Sequence, residues 1–241
     1  MGSRPVAIVK ARRSRPRAWL LLARVSNLPT VWTNVLAGLI VSGASLDPLL
    51  PLVAAASLFY TGGMFLNDAF DAPVDARERP ERPIPAGDIT RSEAFAVGAT
   101  LIGAAEATLL LAPHPASAMA WGAVLAAAIV FYDFRHQQQA YGPVIMGLCR
   151  ALVYVVAAAG AGALGSAVAL PALLMWSYVI AVTEVAKRAG PRAGVVVPLL
   201  IAGIALVDGV MMVSVGPVWT GAAGIAAFVL TLALQRVVPG T

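Results

Sequence analysis

Acidic residues are scarce in this chain. Only 12 of its 241 residues are Asp or Glu, and charged residues of both signs make up 12%. Cysteine is scarcer still: Cys149 stands alone, which excludes an internal disulfide and a thiolate metal cluster. It sits in an apolar segment and reads as a packing residue. Neither His114 nor His136 has a second ligand at metal-binding spacing, so neither is read as a metal ligand. Polar surface is also short. The chain is 59% hydrophobic, with a mean hydropathy of +0.82, and no soluble domain of this length could bury so much apolar area. Short segments of alternating polarity are missing, which excludes a β-barrel and leaves an all-α polytopic membrane bundle.

What charge there is has a pattern. The net charge is +5, and Arg4, Lys10, Arg12, Arg13, Arg15 and Arg17 precede the first apolar run. That placement fits a tail held in the cytoplasm by anionic membrane lipid, and excludes nucleic acid as the partner. The run beginning near Trp19 lacks a small-residue cleavage site, so it is expected to be a first span rather than a signal peptide. The domain organisation follows: a basic cytoplasmic tail over 1–18 and a single transmembrane helical domain over 19–241.

A helix needs about 20 mostly apolar residues to cross a bilayer. Eight segments qualify: 19–43, 49–67, 93–112, 116–133, 142–163, 168–186, 194–213 and 217–236. With the N-terminus inside, the inner connections carry Arg77, Arg79, Arg82, Arg91, Arg135, Lys187, Arg188 and Arg192. The outer connections, 44–48, 113–115, 164–167 and 214–216, carry no Lys or Arg. The positive-inside rule is met in every loop, and Arg236 places the C-terminus inside as well. Gly98, Gly103, Gly147, Gly160, Gly162 and Gly203 lie within spans, where small residues permit close helix approach.

Against this background three carboxylates cluster at the end of one apolar run: Asn67-Asp68-Ala69-Phe70-Asp71-Ala72-Pro73-Val74-Asp75. At 100° per residue the three acids fall at about 0°, −60° and −20°, on one helix face with Asn67 at its edge. Like charges this close repel, and a hard cation relieves the repulsion. Mg²⁺ prefers oxygen ligands and commonly bridges one or two carboxylates to a diphosphate. Asp68, Asp71 and Asp75 are therefore read as a divalent-cation site. Pro73 breaks a helical hydrogen bond, so the helix is expected to kink or end near Phe70–Pro73 and leave Asp75 on the loop. The basic, proline-broken loop that follows supplies Arg79 and Arg82, cations suited to a phosphate.

The pattern Asn67-Asp68-x-x-Asp71-x-x-x-Asp75, followed by Arg79-Pro80-x-Arg82-Pro83-x-Pro85-x-Gly87-x-Ile89, resembles the first aspartate-rich motif and loop of the UbiA superfamily of intramembrane prenyltransferases. Arg24-Val25-Ser26-Asn27-Leu28-Pro29 with Asn34 and Gly38 is similar to the family's first span. Tyr132-Asp133-Phe134-Arg135 with Gly142 and Gly147 is similar to its aromatic-basic stretch. The resemblance covers residues 20–190. It implies a bundle of eight helices, or nine as is usual in the family, around a central cavity. It further implies Mg²⁺-dependent transfer of a prenyl group from a prenyl diphosphate to a lipophilic, often aromatic, acceptor. On this resemblance Asn67, Asp68, Asp71 and Asp75 hold the Mg²⁺, with the three aspartates as catalytic residues, and substrate contacts are expected from Asn34, Asn67, Arg79, Arg82, Arg135 and Arg150.

The family's second aspartate-rich motif is degenerate here. Tyr178–Arg188 holds one acid, Glu184, where two or three are usual. Lys187 and Arg188 share a helix face with it. All three are expected near the diphosphate, the cations replacing part of a second metal's charge; an ordinary ion pair is the plainer alternative. Asp208-Gly209 is followed by Val210-Met211-Met212-Val213, which does not match the pattern of a CDP-alcohol phosphotransferase. Asp208 and Glu106, toward the outer ends of their spans, read as local polar contacts. Tyr132, Tyr141, Tyr154 and Tyr178 are read either as cavity rings that shield a carbocation or as interfacial anchors. A relative that binds or moves a prenyl lipid without turnover is the alternative function.

Overall fold

The computed structural model describes residues 13–135 and 141–240. Arg4, Lys10, Arg12 and His136 lie outside them. Among the described residues the ordered elements are helices: α1 (Arg15–Ala23), α2 (Leu28–Val41), α3 (Leu49–Glu78), α4 (Arg91–Thr108), α5 (Pro115–Arg135), α6 (Gly142–Gly160), α7 (Ala169–Arg188), α8 (Ala193–Val215) and α9 (Trp219–Gln235), with short 3₁₀ turns between some of them.

Among the described residues six helical segments are long and apolar enough to cross a membrane: Leu49–Glu78, Arg91–Leu111, Pro115–Phe134, Gly142–Gly160, Ser166–Arg188 and Gly190–Val215. The first and last of the eight expected spans differ. Trp219–Gln235 is apolar but shorter. Segment 19–43 is not one helix: Arg24 adopts a left-handed conformation with φ 45°, and a 3₁₀ turn over Val25–Asn27 leads into α2. Among the described residues, Arg24 alone has a positive φ without being glycine. That backbone region is sparsely populated by such residues, so surrounding contacts must hold it there.

The helices pack as an integral membrane bundle. Large apolar side chains such as Leu170, Val195, Val210 and Ile225 are exposed on outward faces, as lipid requires. α2 touches α3, α6, α8 and α9 and lies at the centre. Helices approach closely where glycines permit. A Cβ on Gly38 would stand 2.9 Å from the Tyr154 carbonyl oxygen, which sets the crossing of α2 and α6. A Cβ on Gly224 would stand 2.8 Å from the Gly209 Cα, which sets that of α8 and α9. One apolar core joins α2, α3, α5 and α6 around Phe59, Leu52 and Leu125; another joins α2, α6, α7 and α8 around Tyr154 and Met175.

The acidic end of α3 departs from expectation. The helix runs through Pro73 to Glu78, so Asp75 is helical rather than on the loop. Pro73 cannot donate to the carbonyl of Ala69, four residues back. That carbonyl accepts instead from the Nε of Arg91, at 2.8 Å. Arg91 is placed for this by a capping box at the start of α4, in which Glu93 and Thr90 bond reciprocally. The outside partner lets a proline sit in the helix without ending it.

Candidate functional site: a cavity with a carboxylate–arginine end

A cavity of about 410 Å³ lies between α2, α3, α5, α6, α7 and α8. On α3 its wall runs from Ala56 to Asp71, about 22 Å of helix axis at 1.5 Å per residue. Val31, Phe59, Leu125, Ile129, Val153 and Ile204 make the apolar part. Arg24, Asn67, Asp71, Arg79, Arg82 and Asp133 make the polar part.

The acids of α3 are buried: Asn67 is 7% exposed, Asp68 and Asp71 are 6%, and Asp75 is 1%. Arginines from outside the helix hold two of them. Arg82 Nη1 donates to both Asp68 Oδ1 at 3.2 Å and Asp75 Oδ2 at 2.9 Å. Arg24 Nη2 donates to Asp68 Oδ1 at 2.8 Å, and its Nη1 reaches the Met64 sulfur at 3.3 Å. Arg79 Nε stands 3.0 Å from Asp75 Oδ1. The left-handed turn at Arg24 therefore aims its guanidinium at the acidic face of α3. Asn67 donates from Nδ2 to Asp133 Oδ1 on α5 at 3.3 Å.

The expected residues thus fall into groups. Asn67, Asp71, Arg79, Arg82 and Arg150 line the cavity, whereas Asp68 and Asp75 stand behind the wall and grip the arginines. Asn34 is fully buried, is not on the cavity wall, and accepts from Arg150. Glu184, Lys187 and Arg188 also stay off the wall. Lys187 Nζ and Arg188 Nη2 pair with Glu184 at 2.8 and 3.2 Å at the exposed end of α7. α7 instead turns Val179, Val182, Thr183 and Ala186 toward the cavity, the i, i+3, i+4, i+7 face that excludes Glu184. The side chain of Arg135 lies outside the described residues. Tyr132 lines the cavity, but Tyr154 and Tyr178 are bonded to Asp208 and to the Leu200 carbonyl.

Sequence reasoning missed three participants. Asp133, read only as part of a family landmark, adds a buried carboxylate to the wall. Tyr60 lies one turn before Met64 on the cavity face, and its hydroxyl accepts from Asn27 at 3.1 Å. Asn27 also donates to the Gly240 carbonyl at 3.0 Å, bringing the segment after α9 against the cavity. The usable signal for Asp133 was a lone acid in the last turn of an apolar run.

Among the described residues no three His, Cys, Asp or Glu side chains converge as a ready-made metal cage. The donor chemistry still fits Mg²⁺: buried carboxylate and amide oxygens on one wall, beside cations suited to phosphate. Mg²⁺ is usually held by one or two carboxylates together with substrate phosphates and water, not by an all-protein cage.

The chain is similar to known proteins in sequence and in fold. A 99-residue stretch is 42% identical to the digeranylgeranylglyceryl phosphate synthase of Methanopyrus kandleri, covering 39% of this chain and 36% of that protein. A 117-residue stretch is 38% identical to the protoheme IX farnesyltransferase of Rhizobium etli, covering 47% of this chain and 35% of the other. The matches thus span about a third of those relatives. The fold matches a UbiA homolog from Archaeoglobus fulgidus bound to DMAPP and Mg²⁺, with TM-score 0.58 and 14% identity over 91% of this chain and 86% of the other. It also matches a solved digeranylgeranylglyceryl phosphate synthase, with TM-score 0.59 and 17% identity over 93% and 88%. The family model matches residues 28–239, and the chain belongs to the UbiA prenyltransferase family.

Proposed function

We propose that the chain transfers a prenyl group from a prenyl diphosphate to a lipophilic acceptor, with Mg²⁺, inside the membrane. The observation that carries this reading is the buried array of Asn67, Asp68, Asp71 and Asp75 interleaved with Arg24, Arg79 and Arg82 at one end of an apolar cavity. The names of the relatives and the DMAPP- and Mg²⁺-bound neighbour support it. The arginine-rich loop at the acidic end supports a cytoplasmic opening in a prokaryotic inner membrane, with both termini on that side.

In the reaction, the allylic C–O bond breaks and its electron pair leaves with the diphosphate. The allylic carbon then bonds to the acceptor, whose displaced proton passes to the released diphosphate. Arg24, Arg79 and Arg82 donate to the leaving oxygens, where negative charge develops. Asp68 and Asp75 orient those guanidiniums. Asn67, Asp68, Asp71 and Asp75 are the residues that would hold Mg²⁺, whose chemistry there is neutralisation of the departing diphosphate. Phe59, Leu125 and Ile129 exclude water from the allylic cation, and the face of Tyr132 stabilises it. Glu184, Lys187 and Arg188 have no part in this reading, because they pair with one another off the wall.

The test is turnover. Purified protein with radiolabelled geranylgeranyl or farnesyl diphosphate and a panel of acceptors is expected to give product only with Mg²⁺. Unchanged turnover in the Asp68→Ala/Asp71→Ala double variant would sink the reading. The position of Glu184 off the wall favours a second reading, a relative that binds or moves a prenyl lipid. Mg²⁺-dependent diphosphate binding without turnover on any acceptor would select it.

A further inference from the structure

Arg150 differs from the other arginines of the cavity. Arg24, Arg79 and Arg82 each make an ion pair with Asp68 or Asp75. Among the described residues Arg150 makes none. Its partners are neutral: Nη1 donates to Asn34 Oδ1 at 2.8 Å and Nη2 to Thr30 Oγ1 at 3.1 Å. Its guanidinium lies 5.5 Å from the centre of the Tyr60 ring. These bonds use two of the five N–H donors that a guanidinium carries. A cation buried among membrane helices without a paired anion is costly, and usually marks a site.

Asp208 on α8 explains how Arg150 is held. It is fully buried, off the cavity wall, and accepts from Thr33 Oγ1 at 2.6 Å, from Asn34 Nδ2 at 2.8 and 2.9 Å, and from the Tyr154 hydroxyl. A carboxylate only accepts, so the Asn34 amide must point its NH₂ at Asp208 and its oxygen at Arg150. Without Asp208 that amide is free to flip and set donor against donor. Asp208 thus fixes Arg150 from a distance without cancelling its charge by direct contact.

Depth separates this cation from the diphosphate end. Tyr60, which Arg150 faces, precedes Asp68 by eight residues on one helix, about 12 Å of axis.

We propose that Arg150, positioned by Asp208 through Asn34, is a second anion subsite in the cavity, and that it takes the phosphate or carboxylate of the acceptor. This rests on the prenyl-transfer reading for the word acceptor; the subsite itself does not. An acceptor held there by its anionic end has its nucleophile directed toward the diphosphate end.

The full chain in phosphatidylcholine nanodiscs, titrated with dodecyl phosphate, dodecanoate and dodecanol, tests this. The two anions are expected to bind more tightly than the alcohol, and Arg150→Met to lose that preference by about tenfold or more, the value of a charge-assisted hydrogen bond. Asp208→Asn is expected to weaken dodecyl phosphate severalfold and leave dodecanol unchanged, a split that a merely structural role would not produce. Arg150→Lys keeps the charge without the fork and gives an intermediate loss, so it serves if Arg150→Met does not fold. Equal binding of anion and alcohol by the native chain overturns the proposal. So does loss of anion binding in Arg82→Ala with retention in the Arg150 variants. Mg²⁺-dependent turnover of radiolabelled geranylgeranyl diphosphate, measured on the native chain in parallel, tests the prenyl-transfer reading separately.

Discussion

The Nε–H of Arg91 donates to the carbonyl of Ala69 at 2.8 Å, across the gap between α4 and α3. The relationship matters because Pro73 leaves that carbonyl without a helical partner, and Ala69 is fully buried. It keeps α3 intact past Pro73, so that Asp75 faces Arg79 and Arg82.

Arg91→Ala is therefore expected to lower stability by about 1–3 kcal/mol, the cost of an orphaned buried acceptor. Its ring contact with Phe95, at 5.2 Å to the centroid, is lost as well. Pro73→Ala returns an N–H to the same carbonyl. In that background the cost of Arg91→Ala should shrink by about 1 kcal/mol. A double-mutant cycle on unfolding in detergent measures this, and additive costs would show that the carbonyl does not couple the two residues.

Much of this site was legible because the signals are local. Hydropathy marked the long spans, and the spacing of Asp68, Asp71 and Asp75 put three acids on one face, as a continuous helix bears out. The breaks were less legible. Pro73 signals an end only if its orphaned carbonyl finds no other partner, and Arg91 lies 22 residues away. Arg24 carries no signal of a left-handed turn, because no glycine stands there. Asp208 read as a local contact, yet its partner Asn34 is 174 residues away. A lone acid in an apolar run says that it has a partner, but only packing says which.

Gly38 and Gly103 should respond oppositely to alanine. At Gly38 a Cβ meets the Ala157 Cβ and the Tyr154 carbonyl, each at 2.9 Å, so α2 and α6 must part. We expect a loss of about 1–3 kcal/mol. At Gly103, inside α4, nothing lies within 4 Å of an added Cβ. There Gly103→Ala should gain up to about 1 kcal/mol from helix propensity. Thermal midpoints of the two variants decide this, and a loss at both would mean that α4 is covered at Gly103.

Glu184 pairs with Lys187 and Arg188 at an exposed helix end. Exposed i, i+3 and i, i+4 pairs contribute little to stability, because solvent screens them. Glu184→Gln is expected to leave the unfolding midpoint nearly unchanged, and to leave Mg²⁺-dependent diphosphate affinity within about twofold. A tenfold or larger drop in affinity would bring this helix end into the diphosphate site, against its present position off the cavity wall.

Arg82 stands between Asp68 and Asp75, at 3.2 and 2.9 Å, where a divalent cation would find two carboxylates. Removing the guanidinium leaves two acids whose side chains are only 7% and 1% exposed. Breaking a buried pair from one side costs about 3–5 kcal/mol; because Arg24 still pairs with Asp68 and Arg79 with Asp75, the expectation for Arg82→Ala lies at or below the lower end of that range. A cation that replaces the lost charge restores part of it. Millimolar Mg²⁺ should therefore raise the melting temperature of Arg82→Ala by several degrees more than that of the native chain. Ca²⁺, which takes more ligands at longer distances, should restore less. Equal Mg²⁺ responses in the two proteins would show that the carboxylates do not hold the ion where Arg82 stood, and would leave Asn67 and Asp71, on the cavity wall, as its remaining α3 ligands.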